Sequence, residues 1–307
     1  IVVYNEERLS ARLPFAAPAE SAFTRLRFLR QVTSFNPDIT VVIKGTDVPI
    51  VLLERMRSRL SCAIVNYWID DPYYLHVSEE LSPHYDVFFT NAPRAVDRHH
   101  KAGCPHAAFL SFGFDERTHR PATRQHADTT TPASDICFTG TLTDGRLETL
   151  RVLADYDLKV WSEPVARHMA EHFRIERHPV DPSDPLYPRI VGSPVWGNRM
   201  ARVLSASKMA VNIHTQNAPT MRDFEATACG TLLLTEAVDG LDRFFDIGNE
   251  VVCFRDPDDL RRKVDYYLSH PEERRRIAEN GRRRTWRDHS YAARMQSLID
   301  TVRSFLR

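Results

Sequence analysis

Several features are missing from this 307-residue chain, and each absence excludes a class of protein. No apolar run approaches the ~20 residues needed to cross a bilayer, so these residues offer no membrane-spanning helix. Formal charge is zero, with 41 basic and 41 acidic residues, and a nucleic-acid partner gains no electrostatic support. The five cysteines (Cys62, Cys104, Cys137, Cys229, Cys253) are odd in number, far apart and without a CxxC pair. That usage argues against a disulfide framework or a cysteine zinc site and favours a reducing, cytoplasmic compartment. Neither GxGxxG nor a P-loop occurs. The chain opens on IVVYNEE with no Met and no visible secretory leader.

What is present is a soluble composition, 42% hydrophobic and 27% charged, in a chain long enough for two domains. Residues 1–117 alternate helices (Ser21–Ser34, Ile50–Arg59, Arg94–Lys101) with strands (Ile39–Lys44, Cys62–Ile69, Tyr85–Thr90, Ala107–Phe112). They read as a doubly wound half lacking its first unit. Residues 118–134, THRPATRQHADTTTPAS, are polar and aperiodic and read as a linker or hinge. A second alternation spans 135–290, with strands near Asp135–Thr139, Leu158–Trp161, Met209–His214, Thr231–Thr235 and Val251–Phe254. Arg-rich helices close the chain at Pro271–Asp288 and Tyr291–Leu306, the last (291–307) expected to pack back on the N-terminal domain. Their RRR runs read as solvated faces, with attraction to an anionic membrane surface the alternative. The fold class expected is α/β, two Rossmann-like domains with parallel sheets facing an interdomain cleft.

The densest functional signal lies in Met209–Glu236, a strand, polar loop, helix and strand. Its polar residues gather where ligands of open α/β sheets bind, outside the carboxyl ends of the strands. The helix N-terminus is a natural seat for phosphate. Arg222 and Glu225 share a helix face, and a surface ion pair is the plain alternative. His214 closes the strand at the crevice. Phe138-Thr139-Gly140-Thr141 through Arg146 turns from a strand into a helix; Gly140 admits backbone amides to an anion and Arg146 could neutralise it. An ordinary strand-to-helix turn explains the glycines nearly as well. Asp70 and Asp71 end a first-domain strand, where they could supply a base or hold a cation, or open a loop and cap a helix. Trp161 and Trp196 are core aromatics or walls for a nucleobase. His168-x-x-Glu171-His172 matches an inverted zinc-peptidase motif if helical. Chance competes in a chain with 13 His, and no third ligand is evident, so no metal is assigned.

Residues 196–293 resemble the C-terminal domain of group 1 glycosyltransferases, especially the spore-maturation CgeB-like branch known from bacteria. The resemblance rests on Ser207–His214, Arg222-Asp223-Phe224-Glu225-Ala226, Ala228-Cys229-Gly230 with Leu232–Thr235, Asp256–Leu260, His270–Arg274 and His289-Ser290-Tyr291. Gly140 with Arg146, and Trp68–Pro72, extend it. It implies a GT-B architecture and a retaining, metal-independent transfer of sugar from a nucleotide-diphosphate donor to an acceptor hydroxyl, without a cofactor. Carried onto this chain, Glu225 would hold the donor ribose, and Thr220, Met221 and Arg222 the helix start that receives the diphosphate. Asn212, Asp223 and Phe224 would join this donor site, with His214 at its edge and Asp70 and Asp71 on the acceptor side. Relatives often carry a second glutamate eight positions before Glu225; here that position is Asn217. An inactive nucleotide-sugar-binding protein, a metal-dependent hydrolase or an epimerase are the rival expectations. Uridine, guanosine and thymidine donors, and glycan, protein or small-molecule acceptors, are not distinguished.

Overall fold

A computed structural model describes residues 17–122, 133–169 and 175–306. The chain divides into two compact units, residues 1–111 with 295–307, and residues 112–294.

In the first unit, α1 (Ala17–Phe35) leads into β1 (Ile39–Ile43), α2 (Ile50–Arg57), β2 (Ala63–Trp68), α3 (Leu75–Leu81), β3 (Val87–Thr90), α4 (Val96–Lys101) and β4 (Ala107–Phe109). The four strands form one parallel sheet in the order β1-β2-β3-β4. Burial on both faces explains why β2 and β3 lack polar alternation. Leu52, Trp68, Tyr85 and Phe88 pack one face, and Val65, Val87 and Phe89 with Leu298 and Val302 the other. Helix α3 escapes the sequence reading because it is short and its only fully buried side chain is Ser78.

The second unit holds β5 (Ser134–Thr139), β6 (Leu142–Thr143), α5 (Asp144–Arg151), β7 (Leu158–Trp161), β8 (Val165–Met169), β9 (Ile175–Pro179), α6 (Gly197–Ala206), β10 (Ser207–Asn212), α7 (Met221–Ala228), β11 (Leu232–Glu236), β12 (Val252–Phe254), α8 (Pro257–Ser269), α9 (Pro271–Asp288) and α10 (Tyr291–Phe305), whose last turns fall in the first unit. Its main sheet is parallel, ordered β12-β11-β10-β5-β7, so connections cross from the centre to both edges. A single parallel bridge, Val160 to Ile190, stands beyond β7. A small second sheet, β6-β8-β9, includes the antiparallel β8–β9 pair.

Two glycines mark close approaches. A side chain at Gly281 in α9 would stand 2.2 Å from the Glu250 carbonyl oxygen, and Gly230 ends α7 at φ +77°. His168 lies on strand β8, not on a helix, which removes the geometry the zinc motif requires. Glu171 and His172 lie outside the described residues, as do 123–132 of the proposed linker. Thr118 and His119, at that linker's start, belong to the folded second unit, where His119 is buried. Among the described residues no helix is long and apolar enough to cross a membrane.

Candidate functional site

The crossover from β10 through α7 to β11 is organised around one buried carboxylate. Asp223, in the first turn of α7, has no exposed side-chain surface. Its Oδ1 accepts from the Asn212 amide at 2.8 Å and the Thr235 hydroxyl at 2.8 Å. Its Oδ2 accepts from His214 Nε2 at 2.9 Å and the Thr220 backbone N–H at 2.8 Å. Burial alone would raise its pKa; His214, the Thr220 amide and Asn212 together hold it below the usual carboxylate range. The Thr220 bond closes the helix cap, so β10, β11 and the entry to α7 are fixed by one group. This corrects three sequence expectations. Asp223, Asn212 and His214 turn inward to each other rather than to a ligand, and His214 is a positioning group whose side chain is wholly buried. Phe224 is also no ligand contact: its fully buried ring packs edge-on to Phe244 and His289.

One helical turn on, Arg222 Nη1 donates to Glu225 Oε2 at 2.7 Å and to the Met200 sulfur. The Glu225 side chain retains 11% exposure, and His119 Nε2 approaches its other oxygen at 3.5 Å. His119 was missed because it stands in an aperiodic polar stretch. Its Nδ1 accepts the Asp115 N–H, and burial pushes its pKa down against the pull of Glu225. Thr220 caps α7 from a half-buried position, and Met221 is exposed.

Arg222 also lines a cavity of about 460 Å³, with Gly140, Thr141, Trp161 and Trp196 among its walls. The two tryptophans differ. Trp161 is buried with the Arg199 guanidinium over its ring, whereas Trp196 is 74% exposed at the start of α6. Arg146 is held from the side: its Nε donates to the Ile213 carbonyl at 2.9 Å and its Nη1 to the Thr141 carbonyl at 2.8 Å. It thereby ties the Gly140–Thr141 turn to the end of β10.

The acidic pair of the first unit separates. Asp70 meets Lys44 at 2.7 Å near the surface. Asp71 is wholly buried and accepts from Ser78 at 2.7 Å, Thr90 at 2.6 Å and His99 at 2.9 Å. With three hydrogen bonds on its carboxylate and no exposed side-chain surface it has no route to an acceptor, and the catalytic role expected of it is withdrawn. Among the described residues no cluster of three or more His, Cys, Asp or Glu side chains is arranged to hold a metal ion.

Two parallel α/β sheets, with a polar cavity beside the helix that follows the central strand of the second, define a GT-B architecture. Solved structures agree. Sucrose-phosphate synthase from Thermosynechococcus elongatus superposes with a TM-score of 0.62 at 15% identity, over 92% of this chain and 78% of that one. HepE from Anabaena in complex with UDP gives 0.62 at 12%, over 92% and 82%. A glycosyltransferase from Rickettsia africae gives 0.62 at 11%, over 92% and 80%. Comparison with curated proteins finds no significant match. Residues 146–300 match the family described as Glycosyl transferase-like, and the chain belongs to that family.

Proposed function

We propose that this protein transfers a sugar from a nucleotide-diphosphate donor to an acceptor hydroxyl, with retention of configuration, without a cofactor or bound metal, in the cytoplasm. We place it beside the spore-maturation CgeB-like branch. The observation that carries the reading is the Glu225–Arg222 pair on α7, whose arginine reaches a cavity walled by Trp161, Trp196 and the Gly140 turn. A carboxylate can accept both hydroxyls of a ribose diol, and an indole face can stack a base. As the nucleoside diphosphate departs, negative charge grows on its oxygens; guanidinium groups and the α7 amides at Thr220–Arg222 stabilise that charge. HepE, of the same fold, has been crystallised with UDP-glucose, and five free cysteines suit a reducing compartment. Asp70, the acidic residue of its pair that reaches the surface, is assigned to the acceptor side.

Calorimetry against UDP, GDP and dTDP, and their sugar conjugates, tests the proposal. Glu225→Ala should weaken the preferred nucleotide by about 1–3 kcal/mol, the value of a lost charged acceptor. Unchanged affinity for all of them removes the role given to Glu225.

A second reading follows from Asn217. Its side-chain oxygen accepts the Asp239 N–H at 2.9 Å, fastening the loop where relatives often carry a carboxylate. Without that carboxylate the protein would bind nucleotide sugar but not transfer it. Donor turnover, monitored as release of nucleoside diphosphate across an acceptor panel, separates the two.

A further inference from the structure

The β8–β9 hairpin has two differently furnished faces. Along β8, Ala166 is buried and Arg167 turns the other way; across the hairpin Arg167 pairs directly with Arg177. Both arginines line the 460 Å³ cavity, together with Val165 of the same face and Glu163. Like charges placed directly opposite on an antiparallel pair repel. No carboxylate of the described residues pairs with either guanidinium.

The opposite face explains how this register is kept. Asp144, the first residue of α5, offers one oxygen to His168 Nδ1 at 2.9 Å and the other to His178 Nε2 at 2.8 Å. One carboxylate therefore bridges both strands and pins the hairpin to the helix that follows the Gly140 turn. The pair of arginines is thus held side by side at the cavity wall.

Three other cations near the cavity are already engaged, the first being Arg199, which lies over the Trp161 ring and donates to Ser193 Oγ at 3.2 Å. Arg222 is neutralised by Glu225 at 2.7 Å, and Arg146 is spent on two main-chain carbonyls. Apart from the single acid Glu163, the unmatched charge of the cavity lies on Arg167 and Arg177. Two guanidinium groups carried on directly opposed residues suit the adjacent oxygens of phosphate groups.

We propose that Arg167 and Arg177 form the subsite that receives the phosphates of the nucleotide, with Asp144, His168 and His178 as the positioning groups behind it. This rests on the cavity being the nucleotide site, and it moves the main phosphate counter-charge from α7 to the hairpin.

The experiment is calorimetry on the full chain with the tightest binder among UDP, GDP and dTDP, its monophosphate and its free nucleoside. Arg167→Gln/Arg177→Gln should lose about tenfold or more for the diphosphate, with a smaller loss for the monophosphate and almost none for the nucleoside. Arg167→Lys/Arg177→Lys, which keeps charge but not the fork, should fall between. Asp144→Asn, which frees the hairpin with both arginines intact, should reproduce part of the loss. Thermal melting of each variant monitors folding. Equal losses for diphosphate and nucleoside, or no loss in the folded glutamine variant, overturn the hairpin subsite alone. Wild-type protein that binds none of the diphosphates overturns this proposal and the nucleotide reading together.

Discussion

Each unit of the molecule contains a buried aspartate paired to a buried histidine near the carboxyl end of a parallel strand, and the two pairs serve different ends. Asp71 and His99 join the loop after β2 to β3, α3 and α4, and both side chains are wholly buried. Asp223 and His214 join β10 and β11 to the cap of α7, the helix that presents Arg222 and Glu225. The same chemistry is used once for closure and once to aim a site. A carboxylate at a strand end is therefore no sign of catalysis until its lone pairs have been counted.

The largest effects expected come from breaking those pairs. Removing a buried carboxylate strands the groups that donate to it in a low-dielectric interior and costs about 3–5 kcal/mol. Asp71→Ala and Asp223→Ala should both lower the denaturant midpoint strongly. The comparison sharpens in binding: folded Asp71→Ala should keep nucleotide affinity, whereas Asp223→Ala should lose it as the entry to α7 loosens. Equal nucleotide affinity in the two folded variants, measured by calorimetry, would erase the distinction.

His289 is also buried, but its ring nitrogens meet a main-chain carbonyl and an arginine instead of a carboxylate. His289 Nε2 donates to the Phe244 carbonyl at 3.0 Å, while its Nδ1 accepts from Arg294 at 3.1 Å, so both nitrogens are engaged in the neutral form. Burial drives its pKa down to about 4 from 6.5. Between those values the unfolded chain binds the proton and the folded chain does not, so stability is complete above pH 6.5 and declines as pH falls toward 4. The decline should approach about 3 kcal/mol, at 1.36 kcal/mol per unit. Asp71 and Asp223 are held below their ordinary 3.8, so their contribution is full above that value and fails only as pH drops through their lowered pKa. Urea midpoints at stepped pH should show two separate losses, and His289→Gln should shrink the first, to which buried His119 also contributes, while leaving the second unchanged.

Much of this was legible in the sequence. Parallel strands buried on both faces read as continuous apolar runs, so β2, β3, β5, β10 and β11 lie where the apolar pattern puts them. Arg222 and Glu225 were visible because helical spacing places them together. The β8–β9 hairpin was not: His168 suggested a helix by motif, while the alternation of Arg167 with Ala166 and His168 is too short to announce a strand. His119 was invisible because its partner Glu225 lies more than 100 residues away in a different kind of segment. The inward turn of Asp223 could not be read either, since His214, Thr220 and Thr235 meet it only through the fold.

The smallest effect tests the comparison within a single dipeptide. Asp70 and Asp71 are neighbours of the same type, yet Asp70 faces Lys44 at 2.7 Å with 27% of its own side chain and 44% of the lysine's exposed. Water screens that pair and both side chains lose freedom to form it, so its net worth is below about 1 kcal/mol. Asp70→Asn should therefore leave the denaturant midpoint nearly unchanged, against the collapse expected one residue later. If Asp70 serves the acceptor, its loss should appear as a raised KM for acceptor with donor affinity untouched. A midpoint shift approaching that of Asp71→Ala would mean that Lys44 and Asp70 act as a buried pair, and the contrast between the two neighbours would fail.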